Sequence, residues 1–344
     1  MHKNMKRVVL AVISVLSVGS GFGGSQVLAE TPLPITIGYQ STSADDWLLF
    51  TARNLKFFEK EGLAPTYVPF AAGPQMIAAA QSKSIDVALV KAVPFLLGLS
   101  QGVDWVMFGI YSEGAYSEGI VARRDSGIDT VPDLRGKRIG YFKGSAAHYG
   151  VISILRQHGI RTDQVTLLDM TPEQQLAALA KKEIDAAMVW EPWMQQMVHE
   201  ANARIITTEG DLGIYANVSS ISARRDWLQN NRETAVRFLR ALLMAYDVLE
   251  KDPSVGVRAV AKEMDLKERE VKRIYEDAPP PNMYWWTDSG YRYSLVEGSG
   301  FHRRLGYLTT FLFDEKIIPK EVDISYALDA SVITEVLKTW KRGQ

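Results

Sequence analysis

Short apolar runs alternate with helix-period repeats along most of the chain. Residues 35–39, 63–70 and 87–90 are apolar and rich in β-branched and aromatic side chains, as buried strands are. Between the first two, Trp47, Leu48, Phe50 and Phe58 mark a helix that Asp45 or Asp46 is placed to cap. Ala72-Gly73-Pro74 then turns into an alanine-rich helix over 75–81. Another helix begins over 94–99 and stops near Gly102, and residues 103–111 return to strand. Residues 118–123 read as a strand crossing to a second set of elements.

That second set opens with a strand over 139–142, a turn at Gly144 and a helix start at Ser145, a good N-cap. Tyr149, Ile152, Ile154 and Leu155 recur near helical spacing behind it. Residues 165–168 and 187–189 supply two more strands, and Thr171-Pro172-Glu173 is a helix start. A second crossing strand follows over 217–222. After Asp226 the pattern is helical, with Val236, Leu239, Leu242, Leu243 and Tyr246 on one face. Shorter helices over 257–264 and 269–275 lead to Pro279-Pro280-Pro281, the aromatic cluster Tyr284-Trp285-Trp286, and final helices over 301–313 and 332–340. This tail is expected to return against the first set.

The two sets echo each other. Ile37-Gly38-Tyr39 recurs as Ile139-Gly140-Tyr141, 102 residues on. A helix ending at Gly62 has its counterpart ending at Gly159, at an offset of 97. Lys83-Ser84-Ile85-Asp86 matches Lys182-Glu183-Ile184-Asp185 at 99, and Ala122-Arg123-Arg124-Asp125 matches Ala223-Arg224-Arg225-Asp226 at 101. Four landmarks in one order at nearly one spacing imply two similar α/β units, not a solenoid. Ligands of such units bind beyond the carboxyl ends of the strands, so two facing units make a cleft. The expected organisation is a segment 1–29, a first lobe of 30–117 and 224–344, and a second lobe of 118–223. Two crossing strands, at 118–123 and 217–223, would serve as the hinge.

The start of the chain changes the compartment. Lys3, Lys6 and Arg7 precede an apolar run over 8–18, too short to span a bilayer as a helix, and Val27-Leu28-Ala29 fits a signal-peptidase site. Export with cleavage after Ala29 is expected. Removing that segment moves the formal net charge from −1 to −4. No basic stripe suggests nucleic acid. The absence of cysteine excludes disulfides, thiol nucleophiles, cysteine-ligated metals and a lipid anchor. His148, His158, His199 and His302 show no metal spacing, so neither metal nor cofactor is expected. Gly19, Gly21 and Gly24 match a dinucleotide spacing only within the export segment.

The opening strand over 35–40, Leu134-Arg135-Gly136-Lys137-Arg138-Ile139, Gly144-Ser145-Ala146-Ala147-His148-Tyr149 and Val189-Trp190-Glu191-Pro192-Trp193 together resemble the solute-binding proteins of ABC importers, in the nitrate, sulfonate and taurine group. The resemblance implies a two-lobed, type II periplasmic-binding α/β fold with two hinge strands. It implies a free periplasmic protein, monomeric and without cofactor, that delivers a small organic solute to a membrane permease. Sulfonate binders of this kind often carry Gly-Ser-Ser-Pro after the third strand, where this chain has Val90-Lys91-Ala92-Val93-Pro94. With the Trp190-Glu191 pair, that departure points to a bulkier or partly aromatic organic anion.

The expected walls follow from the two strand ends. Gln40, Ser41 and Trp47, with Gly73 and Lys91, form one; Lys143, Ser145, Ala146 and His148, with Trp190 and Glu191, form the other. An anionic head suits the free N–H groups at Ser145 and Ala146, with Lys91 or Lys143 balancing its charge. Trp190 would cover the apolar body, and Glu191 would take an amine if the solute has one. Glu113 and Glu118 are further candidates for an amine. An enzyme of the same fold and a solute sensor without transport are the competing classes.

Overall fold

The computed structural model describes residues 31–214 and 218–342, so the export segment, its cleavage site after Ala29 and Gly19, Gly21 and Gly24 lie outside the described residues. The first half runs β1 (Leu33–Gln40), α1 (Trp47–Asn54), α2 (Phe57–Lys60), β2 (Leu63–Phe70), α3 (Gly73–Gln81), β3 (Val87–Lys91), α4 (Ala92–Ser100) and β4 (Trp105–Glu113). The second runs β5 (Glu118–Arg123), β6 (Arg138–Tyr141), α5 (Ala146–Gln157), β7 (Thr166–Asp169), α6 (Pro172–Ala180), β8 (Ala186–Trp190), α7 (Trp193–Glu200), β9 (Ala203–Thr208) and β10 (Val218–Arg224). The tail is helical: α8 (Arg225–Asn230), α9 (Arg232–Lys251), α10 (Ser254–Met264), α11 (Glu268–Asp277), α12 (Gly300–Asp314) and α13 (Ser331–Thr339).

These strands form two five-stranded sheets, β2-β1-β3-β10-β4 and β7-β6-β8-β5-β9. In each, three strands are parallel, and the fourth is antiparallel and arrives from elsewhere in the chain: β10 in the first sheet, β5 in the second. The strand expected to cross over 217–223 therefore lies wholly in the first sheet, between β3 and β4, and Asn217 is outside the described residues. The first passage between sheets runs ahead of β5, over 114–117. β9, which the sequence pattern did not announce, is an edge strand beside β5.

The repeated landmarks have matching jobs. Arg123 donates to the Ile184 carbonyl and Arg224 to that of Ile85, each tying an antiparallel strand to the entry of its neighbour. Lys182 pairs with Asp125 at 2.6 Å and Lys83 with Asp226 at 2.8 Å. Asp86 accepts from the Thr36 N–H and Asp185 from the Arg138 N–H, fixing the strand order on both sides. The echo in sequence is thus an ion-paired clamp at the amino-terminal edge of each sheet, away from the ligand side.

Helices cover the sheets. Phe238 of α9 stacks on Phe58 at 5.5 Å, and Phe95 on Trp105 at 5.3 Å, all four fully buried. Burying such a ring stabilises by about 1.5–3 kcal/mol. The tail packs on the first sheet, through a bridge from Leu328 to Met107, and also reaches the second set, where Phe311 meets Tyr149 at 5.1 Å. The aromatic cluster is a structural knot: Tyr284 donates to Asp247 at 2.6 Å, Trp340 donates to Tyr284 at 3.0 Å, and Trp286 is fully buried.

Candidate functional site

The carboxyl ends of the two sheets meet. In the first, Ser219 at the start of β10 lies opposite Lys91 on one side and Ser112 on the other. In the second, Glu118 opens β5 opposite Trp190, the last residue of β8. The Trp190 indole N–H donates to the Thr42 carbonyl at 3.0 Å, the Ala44 N–H to the Glu191 carbonyl at 3.4 Å, and the Glu191 N–H to the Ser117 carbonyl at 2.8 Å.

Beneath this junction is a buried charge cluster. Asp45 accepts from Lys91 at 3.2 Å, Ser112 at 2.7 Å, Ser219 at 3.1 Å and Ser43 at 2.5 Å. Burial works against its charge, yet Lys91 and the hydroxyls outweigh burial and hold its pKa below the ordinary value. Lys91 is held above its own ordinary value: burial opposes the charge, but Asp45 and, from the second sheet, Glu118 and Glu209 favour it. Asp46 differs. It is fully buried, and neither carboxylate oxygen has a hydrogen-bond partner among the described residues. Burial first, and the Asp45 charge second, push its pKa well above the carboxylate range. Asp46 stands at the N-cap of α1, but its side chain caps nothing.

The expected residues divide around this cluster. Lys91, Trp190 and Glu191 sit where the sheets converge, and Gln40 stands just before them, donating to the Thr42 hydroxyl at 3.3 Å. Lys91 is committed to Asp45 and is not a loose cation. Glu191 bonds Arg273 of α11 at 3.0 Å and accepts from the Gln195 N–H, and burial raises its pKa to about 7 against those partners. Trp47 is core: its indole donates to the Ala278 carbonyl at 2.8 Å and its ring meets Tyr275 at 4.9 Å. Ser41 is exposed and turns to the Phe70 carbonyl. At Gly73 an added Cβ would lie 2.5 Å from Pro94, so this glycine allows α3 and α4 to close up.

At the other wall, Lys143 is exposed, and Ser145 donates to the Phe142 carbonyl at 2.7 Å instead of capping α5. His148 accepts from the Gly144 N–H; burial and Lys143 lower its pKa to about 4, so it brings no positive charge at neutral pH. Of the two N–H groups expected to be free for an anion, that of Ser145 is not, since it donates to the Phe142 carbonyl at 3.3 Å. The N–H groups of Ala146 and Ala147, both buried, find no acceptor among the described residues. Their turn faces the first set: a Cβ on Gly144 would lie 3.1 Å from Leu97 and 3.5 Å from Pro74.

Sequence reading missed Asp45, Asp46, Ser112 and Ser219 as site residues. The adjacent acids were legible only as helix caps. Glu118 is buried and acts on Lys91, whereas Glu113 turns toward Arg292 at 3.9 Å. Among the described residues no group of acids and histidines could hold a metal ion, and no helix is long and apolar enough to cross a membrane.

The chain is 23% identical over 339 residues to an aliphatic sulfonates-binding protein of Bacillus subtilis, covering 98% of each. It is 25% identical over 324 residues to one of Escherichia coli, covering 93% of this chain and 95% of that one. Its structure is similar to that of the alkanesulfonate-binding protein SsuA from Xanthomonas axonopodis pv. citri bound to MOPS, with a TM-score of 0.73, 24% identity, and coverage of 86% and 97%. The fold is that of the periplasmic binding proteins, with one sheet in each half. The family model described as NMT1/THI5 like matches residues 45–255, from the buried acids of the junction through both sheets into the tail, and the chain belongs to that family.

Proposed function

We propose that this protein is the solute-binding component of an ABC importer, capturing a small organic compound where the two sheets converge. The observation that carries the reading is the pair of acceptor-less, buried N–H groups at Ala146 and Ala147. A helix start with free N–H groups favours an anionic head, and the sulfonates named for the relatives fit such a head. Residues 30–117 with 218–344, β10 included, would form one lobe and 118–214 the other, closing on the solute about the passages between sheets. The Trp190–Thr42 bond would then be part of the closed state. Lys91 holds Asp45 in place rather than meeting the anion, and Trp190 covers the solute body. The protein would be exported, cleaved after Ala29, monomeric, and would dock on a membrane permease.

The test is a thermal-shift panel of small organic anions on the chain from residue 30, with uptake measured in a deletion strain. A solute at a hundred times its Kd stabilises by about 2.7 kcal/mol. Stabilisation by a compound whose uptake the deletion abolishes is expected. An intact uptake profile with loss of a metabolic product would replace the reading with an enzyme.

A further inference from the structure

We propose that the cavity between α5 and α12 is a second ligand site, for an aromatic carboxylate, separate from the place where the two sheets converge.

The cavity has a volume of about 510 Å³, within the range of small-molecule sites. From α5 it takes Tyr149, Ser153 and Arg156, a stripe at helical spacing that runs away from the free N–H groups at the helix start. From α12 it takes Arg304, Tyr307 and Phe311. None of Lys91, Ala146, His148, Trp190 and Glu191 lines it. Tyr149 meets Phe311 at 5.1 Å, and Arg156 lies over the Phe311 ring at 5.5 Å and pairs with Glu315 at 3.2 Å. The two helices thus touch around the space without filling it.

The charge in this cavity has one sign. Two guanidinium groups line it and, among the described residues, no carboxylate does. Arg304 is half-buried, its Nε is shielded from solvent and lacks a hydrogen-bond partner, and it forms no ion pair among the described residues. Another of its nitrogens donates to the Arg292 carbonyl, which brings a second guanidinium close. Glu113 favours the Arg304 charge but pairs with Arg292, at 3.9 Å. Burial and the Arg292 charge lower the Arg304 pKa, yet a guanidinium keeps its proton at any ordinary pH. A half-buried cation beside a like charge is costly to keep, and an arriving anion removes that cost. The Arg156–Glu315 pair is exposed and worth little in water, so Arg156 can turn to a ligand as well.

The rest of the lining sets the ligand class. Guanidinium forks match a planar carboxylate, with two parallel N–H···O bonds. The rings of Tyr149, Tyr307 and Phe311 offer faces and edges to a flat apolar body. Tyr307 is 75% exposed, an unusual cost for a large aromatic side chain unless something covers it.

The experiment is fluorine NMR titration of the chain from residue 30 with para-fluorobenzoate. Saturable binding is expected. Acetate, charged but ringless, and para-fluorobenzamide, ringed but uncharged, should each bind at least about ten-fold more weakly. Arg304→Gln and Arg156→Gln should each weaken the probe at least about ten-fold. Arg304→Gln should leave the melting temperature unchanged or raise it, because it removes an unpaired charge; Arg156, being exposed, keeps the test open if that variant folds poorly. Ala146→Pro deletes an N–H of the solute site at a position where proline suits a helix start, and should leave probe affinity unchanged. Binding that survives both arginine changes would overturn the inference, and loss in Ala146→Pro alone would assign the probe to the solute site. Absence of saturable binding would overturn it too. Each of these results leaves the solute-binding reading standing, since that reading rests on a different helix end.

Discussion

The indole N–H of Trp190 donates to the carbonyl of Thr42 at 3.0 Å, joining the end of β8 to the turn after β1 across 148 residues of chain. It links the carboxyl edges of two separate sheets. Trp190→Phe keeps a ring and deletes the donor. A net loss of about 1 kcal/mol is expected in the closed form, weakening solute affinity about five-fold. Small-angle scattering should show a larger radius of gyration without solute. An affinity and scattering profile equal to the parent would mean that the bond contributes nothing to closure.

Lys91 and Asp45 form a buried ion pair in which each side chain is less than a tenth exposed. Removing one partner strands the other. Lys91→Met should therefore cost about 3 kcal/mol, at the low end for such pairs because three serines still hold Asp45. Lys91→Met with Asp45→Asn should recover most of that loss. Chemical denaturation of both variants decides this: equal destabilisation by the single and double changes would contradict the pairing.

Glu191 gives a pH signature. Burial raises its pKa to about 7, ahead of the opposing effect of Arg273. The native state therefore holds the proton more tightly than the unfolded chain. Its stabilising contribution is complete below the ordinary carboxylate range and is lost as pH rises through 7. Glu191→Gln cannot lose it. Relative to Glu191→Gln, the parent should lose about 2–3 kcal/mol between pH 4 and 8. Parallel melting curves for the two proteins across that range would refute the assignment.

Gly119 is required by its neighbours. A Cβ there would lie 2.3 Å from the Thr207 carbonyl oxygen and 2.9 Å from the Thr208 Cα, backbone atoms of β9 that cannot step aside. Gly119→Ala should cost about 2–3 kcal/mol by prising β9 from β5. Gly290→Ala, which would meet only the Asp288 side chain at 3.3 Å, is the neutral control. Hydrogen exchange should quicken along β9 in the first variant and not the second.

The repeat was legible because its landmarks do local work. Ile85 and Ile184 each present a carbonyl to an arginine, and each arginine sits two residues before its aspartate partner, so the spacing survives in the chain. The strand end at Trp190 and the helix start at Ala146 were legible for the same reason: each depends on residues adjacent in sequence. Ser145 misled because a serine before a helix is normally read as a cap, whereas here a carbonyl three residues back takes the hydroxyl. Asp45 and Asp46 misled in the same way. Their partners Lys91, Ser112 and Ser219 lie 46, 67 and 174 residues from Asp45.

The sequence by itself determined two α/β units, their order and the helical tail, since hydrophobic period and turn chemistry act over a few residues. Only the tertiary structure decided which strand joins which sheet. β10 leaves the second set and inserts between β3 and β4, a choice made by hydrogen bonds to strands more than a hundred residues earlier. That insertion brings Ser219 to Asp45, and the meeting of the sheets puts Glu118 and Glu209 within reach of Lys91. Whether an acid is a surface cap or a buried carboxyl depends on what covers it. For Asp46 the cover comes from distant parts of the chain, which is why its burial was absent from the local pattern.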